Sequence, residues 1–116
     1  MTGQLTLPVS EKRMESAEGK MLAALVWVQE NPEAWSAIVR GAQEDSQYGR
    51  VHIKLYAEHL RMRSDVSPAT RRVKFPNALT AAFGRMLRDW HPEIPAESIP
   101  LKPSNLDGVV VPPRPY

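Results

Sequence analysis

The apolar positions of this chain recur mostly at the three- and four-residue spacing of helices. The first such stripe predicts a helix that begins at the capping residue Ser10 and ends near Glu30. Its members are Met14, Ala17, Met21, Leu25 and Val28. The preceding residues, 1–9, lack periodicity, so we expect them to form a flexible tail.

Asn31-Pro32-Glu33 predicts the start of a second helix, because asparagine caps helices, proline suits the first position and glutamate suits the positive end of the dipole. The apolar stripe of this helix consists of Trp35, Ile38, Val39 and Ala42. A polar segment ending at Gly49 predicts a loop. A third stripe then predicts a helix over residues 51–63, with Ile53, Tyr56, Ala57 and Leu60 as its members.

A connector at residues 64–74 leads to a fourth predicted helix, at 78–90, which Asn77 would cap and His91-Pro92 would end. Residues 72–75 could form a short strand. The aromatic residues of the helices fall on their apolar stripes, which favours packing over base stacking. The predicted core comprises Trp35, Ile38, Leu60, Phe83, Met86 and Trp90.

Two short extended runs, Ile99–Lys102 and Val109–Val111, flank an Asp-Gly turn and predict a β-hairpin. The order of elements predicts a mainly α fold. We expect a winged helix-turn-helix-like domain over residues 10–112, with an extra N-terminal helix and a short C-terminal β-hairpin as the wing. Residues 113–116 would form a second tail. The alternative is a plain small helical bundle with a flexible C-terminus.

Composition narrows the class of protein. The chain has 116 residues and no cysteine, which excludes disulfide scaffolds and cysteine-based zinc or catalytic sites. Its longest apolar run, Met21–Val28, is far shorter than the roughly 20 residues of a membrane span. No signal-peptide pattern is visible, so we expect a cytoplasmic protein with no membrane partner.

Charge is distributed unevenly along the chain. Residues 1–49 contain four lysines and arginines against seven acidic residues, whereas residues 50–90 contain nine against three. A basic region of this kind is typical of nucleic-acid binding. The residues predicted to contact DNA are Arg61, Arg63, Arg71, Arg72, Lys74, Asn77, Thr80, Arg85, Arg88 and Lys102.

The fourth helix has a face of small and polar residues that predicts entry into the major groove. Ala81 and Gly84 would let its backbone approach the base edges, and Arg85 and Arg88 would read guanine. Asn77, at the helix start, could bind a phosphate or an adenine.

Catalytic and metal sites are not indicated by the sequence. The three histidines have no recognised ligand spacing, and there is no glycine-rich phosphate loop. We therefore expect a protein that is not an enzyme and that uses no cofactor and no metal.

The chain resembles a family of small, mostly uncharacterised phage and prophage proteins over residues 31–95. The residues that carry the resemblance are Asn31-Pro32, Trp35, Ile38, Ala42, Gly49, Ile53, Glu58, Arg61, Lys74-Phe75-Pro76-Asn77, Arg85, Leu87 and Pro92. The resemblance implies a winged-helix-like fold and a bacterial or phage setting.

Two functions remain open from the sequence. The first is a small DNA-binding protein of phage or mobile-element type, a regulator or accessory factor that binds double-stranded DNA. The second is a phage-encoded, anti-CRISPR-like or other anti-defence inhibitor that binds a host protein complex. The first predicted helix could complete the core or, through residues 11–30, form a homodimer.

Overall fold

A computed structural model describes residues 16–63 and 65–116. Within these ranges the chain forms five α-helices, so the mainly α prediction is confirmed. They are α1 (Ala17–Glu30), α2 (Pro32–Asp45), α3 (Ile53–His59), α4 (Pro68–Arg71) and α5 (Thr80–Trp90). Short 3₁₀ turns lie at Leu60–Met62, Asn77–Leu79, Ala96–Ser98 and Asn105–Gly108. The predicted tail, residues 1–9, and the predicted helix start at Ser10 lie outside the described residues.

The helix ends differ from the predicted caps at two asparagines. Asn77, predicted to cap the fourth helix, instead begins a 3₁₀ turn, and Leu79 precedes α5 without a side-chain cap. Ser16 caps α1 by accepting a hydrogen bond from the backbone N–H of Gly19 at 2.9 Å. Asn31 precedes α2 as expected, but its side chain does not cap that helix. Its amide instead donates to the carbonyl of Trp27 at 2.9 Å and so closes the C-terminal end of α1.

Four aromatic rings form the centre of the core. The ring of Phe83, fully buried on α5, lies 5.3 Å from that of Trp27, 5.5 Å from that of Trp35 and 5.3 Å from that of Phe75. Trp27 belongs to α1, Trp35 to α2 and Phe75 to the connector before α5. The cluster therefore joins four segments of the chain. All the residues of the predicted core are buried.

A close contact between helices sets the position of α3 against α2. A Cβ atom at Gly41 would lie 2.8 Å from the ring of Tyr56, so this approach requires glycine. The Tyr56 hydroxyl donates to Asp45 at 2.6 Å and accepts from the backbone N–H of His52 at 3.0 Å. Burial, together with the bond to Asp45, raises the pKa of Tyr56 to about 12.

The predicted β-hairpin is wrong, because the described residues contain no strand there or at residues 72–75. Residues 99–111 instead cross α5 in an irregular path, with Ile99 and Leu106 buried in the core. Ser104 and Asp107 form a capping box that commits residues 105–108 to a 3₁₀ turn. Prolines in both flanking runs also remove ladder donors. The wing of the winged-helix prediction is therefore absent.

Truncation of the central ring tests this description of the core. Phe83→Ala should lower the free energy of unfolding by about 3–5 kcal/mol, because it removes apolar contacts and leaves a cavity among three other rings. Met62→Ala, at a side chain that is 86% exposed, should change it by less than about 0.5 kcal/mol. Chemical denaturation of the two variants measures the difference. Equal stabilities would contradict the central position of Phe83.

Candidate nucleic-acid interface

The structure separates the predicted DNA contacts into two surfaces. Arg61, Arg71 and Arg72 line one open depression together with Pro68, because α4 packs against the 3₁₀ turn that follows α3. Arg85 and Arg88 line a different depression, whose other walls come from the C-terminal segment, including Leu101, Leu106 and Asp107. The arginines that the sequence predicts on one basic face therefore line two different depressions.

The basic surface is defined here as these three arginines together with Lys74, which follows Arg72 by two residues but does not line the depression: Arg61, Arg71, Arg72 and Lys74. Arg61, Arg72 and Lys74 are exposed, and Arg71 is half-buried. Among the described residues none of the four forms a salt bridge. Their charges are consequently free to meet an anionic partner.

The short helix α4 positions two of these arginines, and its start is locally encoded. Ser67 caps it by accepting from the backbone N–H of Thr70 at 3.2 Å, and Pro68 occupies its first position. Glu33 of α2 anchors the cap by accepting from the hydroxyl and backbone N–H of Ser67 at 3.0 and 3.1 Å. Hydrogen bonds from Thr70 and Ser67 lower the pKa of Glu33.

Lys74 is placed by contacts of the connector with α1. The indole N–H of Trp27 donates to the Lys74 carbonyl at 3.3 Å, and the next residue, Phe75, enters the aromatic cluster. The Lys74 backbone is thus held against α1 while its side chain remains exposed.

Arg63, predicted as a DNA contact, has a partner within the chain. Its guanidinium forms a two-pronged salt bridge with Asp65, with the Nε–Oδ1 pair at 2.9 Å. This hydrogen bonding lowers the pKa of Asp65 and raises that of Arg63. Arg63 is therefore less available to a phosphate than the four residues of the basic surface.

Arg85, the predicted base-reading residue, is buried. Its guanidinium donates to the Ala81 carbonyl at 2.9 Å, to the Lys102 carbonyl at 3.1 Å and to Asp107 at 2.5 Å. The backbone N–H of Ser104 also donates to Asp107. The pKa of Asp107 is lowered, first by Arg85 and then by the bond from Ser104. The guanidinium therefore holds the C-terminal segment on α5, and it is not exposed on the face where the sequence predicts a base contact.

The small residues of α5 also serve packing within the protein. A Cβ atom at Gly84 would lie 2.5 Å from Leu101 Cδ2, so glycine admits the C-terminal segment rather than DNA. Arg88 is exposed but donates to the Ile99 carbonyl at 2.8 Å. The face predicted to enter the major groove is thus covered by residues 99–107.

The remaining predicted contacts lie around α5. Asn77 is exposed at the start of the 3₁₀ turn before the helix, and its carbonyl accepts from the Thr80 hydroxyl at 2.8 Å. The side chain of Lys102 is exposed beside the buried Arg85. Neither Asn77 nor Lys102 lines the depression of the basic surface.

Two features that the sequence analysis does not predict, α4 and the 3₁₀ turn at residues 105–108, are encoded by local residue preferences. Ser67-Pro68 carries the cap and first-position preferences of a helix, which identify α4. Ser104 and Asp107, three residues apart, match a capping box with aspartate in the acidic position. The pairing of Arg85 with Asp107 had no local signal.

Comparison with protein-family models, curated proteins and solved structures finds no match to this chain. The resemblance to phage proteins therefore stays a prediction. None of the described helices is long and apolar enough to cross a membrane.

The Arg85–Asp107 contact should make stability depend on pH. Because the pKa of Asp107 is depressed in the folded protein, its ionised form stabilises the fold above the ordinary value of 3.8, and this contribution is lost as pH falls through the lowered value. Asp107→Asn should therefore lower the melting temperature at neutral pH and flatten its decline below about pH 4. Thermal unfolding across this range measures both effects.

Asp89→Asn is the matched control, because Asp89 is exposed and forms no salt bridge among the described residues. It removes the same charge and should leave the melting temperature nearly unchanged. Identical curves for the two variants would mean that the contact with Arg85 does not stabilise the C-terminal segment.

Proposed function

We propose that this protein binds nucleic acid through phosphate contacts made by the basic surface, without reading bases through α5. The observation that carries the proposal is the convergence of Arg61, Arg71 and Arg72 on one depression, with no acidic partner among the described residues. Lys and Arg contacts to phosphates supply sequence-independent affinity, whereas specificity requires contacts to base edges.

The covered face of α5 supports this restriction to the backbone. A major-groove reader needs exposed donors on a slim helix, but Arg85 is buried and Gly84 lies beneath Leu101. Double-stranded DNA remains the preferred partner. A regulator would need a second determinant for its site, so the role of an accessory factor is the better fit.

Substitution of two exposed members of the basic surface tests the proposal. Arg72→Ala with Lys74→Ala should weaken binding to every duplex sequence equally. It should also reduce the slope of log affinity against log salt by roughly two units, at about 0.9 per phosphate contact. The measurement is a salt series of binding to a short random-sequence duplex, followed by fluorescence anisotropy.

Arg50→Ala with Lys54→Ala provides a charge-matched control. Both residues are exposed, and they lie near the start of α3, whereas Arg61 follows its end. The control should change the slope much less. Equal slopes for the two variants would remove the basic surface from the interface, and no wild-type binding at about 50 mM salt and tens of micromolar protein would overturn the function.

A second candidate, binding to a protein, is favoured by α1. Its residues 21–28 are all apolar, and Leu22 and Val26, one turn apart, are 46% and 41% exposed. A helix that is apolar on all sides is usually buried. This exposed apolar surface favours binding to a protein, which would be a host complex for an anti-defence inhibitor or a second copy of the chain for a homodimer. The homodimer is predicted for residues 11–30, of which 11–15 lie outside the described residues.

Light scattering after size exclusion tests the homodimer. Leu22→Lys should convert a dimer into a monomer, because it puts a charge into the apolar contact. Tyr48→Lys, at a loop side chain that is 89% exposed, should leave the mass unchanged. A wild-type protein that stays monomeric at high concentration would exclude self-association through α1.

A further inference from the structure

The segment 112–116, predicted from the sequence as a tail, lies in a groove between α2 and the end of α5. Trp90 donates its indole N–H to the Pro112 carbonyl at 2.7 Å, and the Arg114 guanidinium donates to the Trp90 carbonyl at 3.4 Å. The Tyr116 ring packs edge-on against Trp90 and stacks on His91, with centroids 6.0 and 5.9 Å apart. Contacts with the core therefore continue beyond Pro112, where the sequence predicts the end of the domain.

The hydroxyl of Tyr116 completes a chain of hydrogen bonds. The indole N–H of Trp35 donates to this oxygen at 2.9 Å, and His91 Nε2 lies 2.6 Å from it. His91 Nδ1 lies 3.0 Å from Glu93 Oε2. Both nitrogens of the His91 ring therefore have a partner, the Tyr116 hydroxyl on one side and the Glu93 carboxylate on the other. The groove thus has a specific place for a phenol hydroxyl.

The segment is also suited to docking as a peptide. Residues 111–115 are Val-Pro-Pro-Arg-Pro, so each is either proline or the residue before one. Proline fixes its own φ, and it biases the preceding residue to extended conformations. Such a segment loses little conformational entropy when it binds, which is the basis of proline-rich recognition by aromatic grooves.

A contact within the segment and an adjoining cavity complete the description of the groove. Arg114 lies over the Tyr116 ring, 5.1 Å from its centroid, and the carboxylate of Glu93 lies on the opposite side of the hydrogen-bond chain. An apolar cavity of about 510 Å³ continues from Pro115 and Tyr116 along Val28, Pro32 and Val39.

We propose that Trp35, Trp90 and His91 form a recognition groove for proline-rich segments of Pro-Arg-Pro-Tyr chemistry, which residues 112–116 occupy in cis. The occupant in trans is a segment of the same chemistry on a partner protein, which displaces them. This function is independent of nucleic-acid binding, because its groove shares no residue with the basic surface.

The test uses the full chain with Tyr116→Ala, which weakens the cis segment, and an amidated peptide Val-Pro-Pro-Arg-Pro-Tyr. The peptide should bind this variant at least tenfold more tightly than wild type, because the wild-type segment competes at an effective concentration in the millimolar range. A peptide with alanine in place of its tyrosine should not bind. Isothermal titration calorimetry gives the affinities.

The indole N–H signals in NMR spectra locate the binding. Those of Trp35 and Trp90, which donate to Tyr116 and Pro112, should move on titration towards their wild-type positions. The Trp27 indole N–H donates to the Lys74 carbonyl and not to residues 112–116, so its signal should change least. If Tyr116→Ala does not fold, Tyr116→Phe replaces it, because it keeps the ring and removes the hydroxyl to which Trp35 donates, and the peptide should move the Trp35 signal towards its wild-type position.

Three results would overturn the proposal. The first is the absence of indole shifts at millimolar peptide in the folded variant, whether Tyr116→Ala or Tyr116→Phe. The second is equal binding of the tyrosine and alanine peptides. The third is a wild-type dimer that Tyr116→Ala abolishes but Leu22→Lys does not, since the occupant would then be the segment of a second copy rather than a separate partner.

Discussion

The packing of Phe83 among Trp27, Trp35 and Phe75 is the interaction on which the rest of the structure depends. Each ring belongs to a different segment, so these contacts fix α1, α2, the connector and α5 relative to one another. Aromatic pairs add about 0.5–1.5 kcal/mol each beyond the area that they bury. The free energy of unfolding of a domain of this size is small, so the loss of one ring would destabilise the packing of all four segments.

The basic surface is a consequence of this cluster. Phe75 inserts into the aromatic centre, and Trp27 holds the preceding carbonyl, so these contacts set the path of the connector from α4 to α5. That path leaves Arg72 and Lys74 at the surface. Packing inside the protein therefore sets where these two charges lie on its surface. They are in place to contact phosphates without any movement of the helices.

The helices and the core could be predicted from the sequence because both depend on the local spacing of apolar residues, as the stripe from Leu79 to Trp90 shows. The contacts of Arg85 within the protein could not be predicted from the sequence. Its partner Asp107 is 22 residues away, and an arginine on a polar helix face has the same pattern whether it meets solvent, DNA or the protein's own chain. Gly84 is ambiguous for the same reason, since a slim helix face admits Leu101 as readily as a base pair. The hairpin was mispredicted because an Asp-Gly pair serves both a strand turn and a 3₁₀ turn, and the cap at Ser104 decided between them.

The bond between Trp35 and Tyr116 has a consequence for biosynthesis, because it joins residues 81 positions apart. At about 5–20 residues per second, Trp35 leaves the peptidyl transferase centre roughly 4–16 s before its partner is added. Ile99 and Leu106, which cover α5, are likewise made after all five helices. On α2, Trp35 therefore lacks its C-terminal cover for several seconds, an interval in which the ribosome or a chaperone can protect the exposed surface from aggregation.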